Sequence, residues 1–166
     1  MTQFQNVGNA SVRRFLTLEM AMAAFFNGLI NIGMAHAVFG GKDSIALMGT
    51  DGLAFDLVAT TFFTGSLMVL LLTPILRRRV ARGSAPSLAR RDLPWPASKL
   101  PRNTLLRAVL LGAAGTAVIV PAMVTGLNVA GLHAFAFDSV VVFKAVFGAL
   151  LGVAAAPQVI LPAISS

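Results

Sequence analysis

The chain has 166 residues, of which 57% are hydrophobic and only 11% charged, less than half the roughly 25% charge of an ordinary soluble domain. That balance argues against a compact soluble enzyme and for an all-α integral membrane protein. Thirteen Lys and Arg against 6 Asp and Glu give a formal charge of +7, and with no Cys in the chain disulfides, thiolate catalysis and Cys-ligated zinc or iron–sulfur centres are excluded.

A hydrocarbon layer about 30 Å thick needs about 20 mostly apolar residues in a helix. Four such runs lie at about 15–39, 52–76, 105–127 and 139–164. The expected fold is therefore one membrane domain over 1–166, a four-transmembrane-helix bundle made of two hairpins. The first run is broken only by Glu19, Asn27, Asn31 and His36. Ala35-His36-Ala37 has the form of a signal-peptide cleavage site, but the run is too long for the apolar core of such a peptide. The second run ends at Arg77-Arg78-Arg79, and the fourth contains a single charge, Lys144.

Residues 77–104 carry Pro86, Pro94, Pro96 and Pro101 with several Ser and Ala, a composition expected to be extended or irregular. Arg13 and Arg14 precede the first run, and Arg77, Arg78, Arg79, Arg82, Arg90, Arg91, Lys99, Arg102 and Arg107 lie in or beside this middle loop. Of the 13 basic residues only Lys42 and Lys144 lie elsewhere. The positive-inside rule then places both termini and the loop in the cytoplasm, as in a multi-pass protein of a bacterial-type inner membrane. The same charges would draw the loop to anionic lipid headgroups, with Trp95 as an interfacial anchor. Because topology accounts for the basic residues, nucleic acid is not an expected partner.

Ala54-Phe55-Asp56 opens the second run and Ala136-Phe137-Asp138 the fourth, each followed by a glycine (Gly65, Gly148) and a proline (Pro74, Pro157). A duplication of this kind would be a parallel repeat about an axis along the membrane normal.

Polar side chains inside apolar runs are costly, and each is a candidate for function or for helix association. Asp56, Thr60 and Thr64 recur every four residues and share one helical face. They line a solute site, or else Asp56 stabilises the helix start while the threonines bond back to the backbone. Lys144 lies roughly 9 Å into the fourth run and must snorkel or find a partner. Asp56 sits at a similar depth, and a Lys144–Asp56 pair is expected. Gly148 and Gly152 continue the Lys144 face as a GxxxG, with Ala108, Gly112 and Thr116 of the third run as the expected packing mate. Asn27 and Asn31, one turn apart, join helices or line a hydrated cavity. Glu19 is expected to pair with the Arg77–Arg79 cluster.

His36 and His133, both on the predicted periplasmic side, are weak candidates for haem or copper ligation, with Met34 and Met48 as soft ligands for copper. Neither has a second donor at ligand spacing within a run, so no cofactor is expected. The chain lacks G-x-S-x-G, H-E-x-x-H, P-loop and paired-carboxylate signatures, so an enzyme is not the expected reading. The leading expectation is a channel or transporter subunit for a small ion or polar solute, acting as a homo-oligomer. Asp56, Thr60, Thr64, Asn27, Asn31 and Lys144 would form its site. The alternative is an accessory or assembly subunit of a larger membrane complex, in which the same residues only join helices.

Overall fold

The computed structural model describes residues 2–165, with side chains from residue 10 onward. Four helices are long and apolar enough to cross a membrane: α1 (Thr2–Phe39), α2 (Leu53–Ala81), α3 (Thr104–Val129) and α4 (Phe137–Ile164). α2 outruns its apolar segment because arginine is a good helix former. Thus α2 continues through Arg77, Arg78 and Arg79, where cations also suit the negative end of the helix dipole. Gly83, at φ +69°, then turns the chain away. At the start of α3 the Asn103 side chain accepts from the backbone N–H groups of Leu105 and Leu106 at 2.9 and 3.1 Å, an N-cap.

The two short loops hold strands that the all-α expectation lacked. β1 (Ser44–Ala46) pairs antiparallel with β2 (Ala134–Ala136), Ile45 facing Phe135. Three residues are too few for a period-2 pattern to show in a sequence. The Leu47 N–H extends the ribbon by donating to the His133 carbonyl at 2.8 Å. This ribbon end carries the last turns of α1 and α3 and the first turns of α2 and α4.

Sequence neighbours are not the principal packing partners. α1 packs along α4, α3 along α2, and α2 meets α4 at the centre. The two expected hairpins exist as connections, but α1 and α2 leave a groove between them. Its bridges include Asn27 to Met68 and, at the end opposite the ribbon, an ion pair between Arg79 and Glu19 as the sequence led one to expect. The Arg79 guanidinium also lies 5.1 Å from the centre of the Phe15 ring.

The GxxxG face of α4 docks on α1, not on Ala108, Gly112 and Thr116 of α3. A Cβ on Gly152 would stand 2.6 Å from the Ala23 carbonyl oxygen, and Gly148 lies against the Asn31 amide and the Asn27 backbone, so both positions need glycine's missing side chain. Gly112 instead meets α2: a Cβ on Gly65 would be 3.1 Å from the Gly112 Cα, and the Ser66 hydroxyl donates to the Ala108 carbonyl at 3.2 Å. Small-residue stripes are alike in one dimension, and only the assembled geometry sorts their mates.

The middle loop also departs from expectation. It forms two short 3-10 turns, Arg90–Asp92 and Ala97–Lys99, and folds over the end of the bundle. Leu93 and Ala97 are buried, and with Leu88 they join the apolar cluster of Val159, Ile160, Ala163 and Ile164 on α4. The Leu88 N–H donates to the Ile164 carbonyl at 3.1 Å. Three apolar side chains among prolines and arginines are enough to seat it. Trp95 remains 80% exposed.

Candidate functional site

The groove between α1 and α2 has a volume of about 830 Å³. Its walls are mainly apolar, with Phe26, Ile30 and Met34 on α1 and Phe55, Phe63 and Leu67 on α2. Set among them is a polar strip of Asn27, Asn31, Asp56, Thr60 and Thr64, with Lys42 and Asp51 toward the ribbon end. Five of the six residues singled out from the sequence as a solute site thus line one space. Periodicity explains the α2 part: Asp56, Thr60 and Thr64 fall one turn apart.

The sixth, Lys144, is not on the wall. It projects from α4 behind Asp56 with no exposed surface, while Asp56 keeps 8% exposure. The Lys144 ammonium donates to both carboxylate oxygens, 2.7 Å to Oδ1 and 2.6 Å to Oδ2, so the expected pair is formed and nearly dry. A charge so buried is tolerated only with a close, well-directed counter-charge. Thr60 completes a triangle, its hydroxyl donating to Asp56 Oδ2 and accepting from Lys144 Nζ, both at 3.4 Å. The Phe39 ring lies 5.9 Å from the Lys144 ammonium and 5.7 Å from that of Lys42, giving both a weak cation–π contact.

On α1 the two asparagines bond back along their own helix. Asn27 Nδ2 donates to the Ala23 carbonyl at 2.8 Å and reaches Met68 Sδ on α2 at 3.6 Å. Asn31 Nδ2 donates to the Asn27 carbonyl at 2.9 Å, which fixes the amide. Its Oδ1 is left buried and without a hydrogen-bond partner, on a residue only 2% exposed. A buried carbonyl oxygen without a donor is unfavourable, and it marks a place where a donor or cation would be stabilised.

His36 is exposed and lies edge-on to Phe137, ring centres 5.1 Å apart, and His133 is exposed before β2. Among the described residues no group of three or more His, Cys, Asp or Glu is placed to hold a metal ion.

Sequence reasoning missed two buried polar contacts, the Ser66 hydroxyl on the Ala108 carbonyl and one made by Arg107. Arg107, counted with the loop charges, is 1% exposed in the first turn of α3 and donates from Nη2 to the Thr73 hydroxyl at 2.7 Å. The available signal was its position, four residues after the Asn103 cap.

Comparison with protein-family models, with curated proteins and with solved structures finds no match for this chain.

Proposed function

We propose that the protein is a subunit of a small channel or transporter for an ion or small polar solute, and that the α1–α2 groove is its solute site. The observation that carries this reading is the convergence of Asn27, Asn31, Asp56, Thr60 and Thr64 on one cavity, with Asp56 paired to the buried Lys144 behind the wall. Side chains serving only to join helices would be covered by packing, whereas Asn27, Thr60 and Thr64 keep part of their surface open beside the buried Asn31 and Asp56. The outward surfaces of the helices are rich in Phe, Leu, Ile and Val, as a hydrocarbon surrounding requires. The basic loop end suits the cytoplasmic face of a bacterial-type inner membrane, its arginines near anionic headgroups and both termini on that side. The groove is only partly enclosed, so a homo-oligomer in which a second copy covers its open side would enclose the path.

The apolar share of the lining favours a second reading, an accessory subunit whose groove seats a partner's helix and stays dry. Hydration separates the two, and a chain without Cys makes the measurement clean. In proteoliposomes, single variants Ala59→Cys and Thr64→Cys on the groove wall should react within minutes with a membrane-impermeant thiosulfonate. Val109→Cys, exposed on the outer face of α3, should not react. Groove cysteines as inert as Val109→Cys would overturn the transport reading.

A further inference from the structure

We propose that Arg77, Arg90 and Arg107 form a binding site for a phosphate group, and that this group holds the middle loop against the end of the bundle. The site lies at the end opposite the ribbon, and none of the three arginines lines the α1–α2 groove. It therefore stands whether or not the groove carries a solute.

Its floor is a buried cation without a counter-charge. Arg107 is 1% exposed, and among the described residues its one hydrogen bond runs from Nη2 to the buried Thr73 hydroxyl. Nε is buried with no partner. Position adds to the cost, because a cation in the first turn of α3 sits at the positive end of the helix dipole. The charges that act on it are of its own sign: Arg77, near the end of α2, and Arg90, on the first 3-10 turn of the loop, both repel it. Four of the six acidic residues, Asp43, Asp51, Asp56 and Asp138, belong to the ribbon end. At the loop end Glu19 is taken by Arg79, and Asp92 stands 3.9 Å from Arg91. A buried guanidinium without an anion is costly, and an unmade hydrogen bond at Nε costs more. A counter-charge therefore has to come from outside the chain.

The donors select the group. Guanidinium forks bind oxyanions through paired N–H···O bonds. A carboxylate has two oxygens in one plane, whereas a phosphate group directs its oxygens tetrahedrally and can meet guanidinium groups arriving from α2, α3 and the loop together. At the end of a membrane span such a group comes from a lipid headgroup or from free phosphate.

Because Arg107 is covered, the anion enters while the loop is lifted. Leu88, Leu93 and Ala97 seat the loop on α4, and Arg90 is tied across the loop by Nη2 on the Leu100 carbonyl at 2.8 Å. Three apolar side chains hold this segment down while Arg107 repels Arg90, so local opening is cheap. An anion between the arginines turns that repulsion into attraction and keeps the loop closed.

The test uses the full-length chain, delipidated in a maltoside detergent, with Ala97→Cys as its single cysteine. Ala97 is 1% exposed, so the thiol at this position reacts when the loop lifts. Sodium phosphate should slow labelling relative to sodium chloride of equal ionic strength, by about tenfold at ten times the concentration that halves the rate, because it binds the closed form. Phosphatidylglycerol should also slow it, whereas a glucosyl diacylglycerol with the same chains and no phosphate should not. Slowing by inorganic phosphate or by phosphatidylglycerol supports the site and tells a free anion from a lipid headgroup. Slowing by neither, or equal slowing by the glucolipid, would overturn it. In the same background Arg107→Gln should raise the phosphate or phosphatidylglycerol concentration required by at least about tenfold, the loss of a charge-assisted hydrogen bond. Should Arg107→Gln misfold, the exposed Arg77→Gln gives the same reading. An unchanged response in the variant that folds would overturn the proposal.

Discussion

Replacing one member of the Lys144–Asp56 pair strands the other in a nearly dry site. Asp56→Asn and Lys144→Met should each cost about 3–5 kcal/mol, while the double variant, with no charge left to strand, should recover most of the loss. Thermal unfolding in detergent of the two single variants and the double checks this, and additive losses would show that the two residues are not coupled. The pair was legible in the sequence because both residues lie at matching depth in apolar runs. The Asn31 oxygen was less so: the sequence places an amide in a helix but not which of its two atoms is satisfied. Arg107 was hidden by its company, since a guanidinium among eight other basic residues in or beside the loop reads as one more surface charge until Thr73 is found 2.7 Å away.

At the scale of the helices, close approach depends on what is missing from glycine. Gly152→Ala would bring a methyl group to 2.6 Å from the Ala23 carbonyl, where the main chain cannot yield cheaply. It should destabilise the α1–α4 contact by about 1–3 kcal/mol. Gly115→Ala is the control: its Cβ would meet only the Thr61 methyl at 3.5 Å, an ordinary contact, and alanine's better helix propensity should make it neutral or stabilising. Equal losses in thermal midpoint for both variants would show that the contact does not depend on glycine. Helix positions could be read from run length and charge because those properties are local. Helix neighbours could not, since Ala108, Gly112 and Thr116 offer the same four-residue spacing as Ala23, Asn27 and Asn31. Nor could the seating of the loop, where Leu88, Leu93 and Ala97 are diluted by proline and arginine.

For the molecule as a whole, exchanging α1–β1–α2 with α3–β2–α4 leaves the pattern of packed pairs unchanged: α1 with α4 becomes α3 with α2, and the ribbon and the α2–α4 contact map onto themselves. This is the arrangement a parallel repeat would produce, and the Ala-Phe-Asp strings open equivalent helices. The chemistry does not follow the symmetry, because Asp56 is buried against a lysine while Asp138 is exposed. The loop closes the opposite end, and Leu93→Asp should release it. Trypsin cleavage at Arg90, Arg91 and Lys99 should then speed up at least about tenfold, and an unchanged digestion rate would show that Leu93 does not hold the loop. The pairing of first helix with last also sets a timetable for synthesis. α4 begins about a hundred residues after α1 ends, so at roughly 5–20 residues per second α1 waits roughly 5–20 s for its partner. During that interval its glycine-seeking stripe of Ala23, Asn27 and Asn31 has no mate of its own chain. Until the last helix arrives, the packing face that α1 presents to α4 stays uncovered.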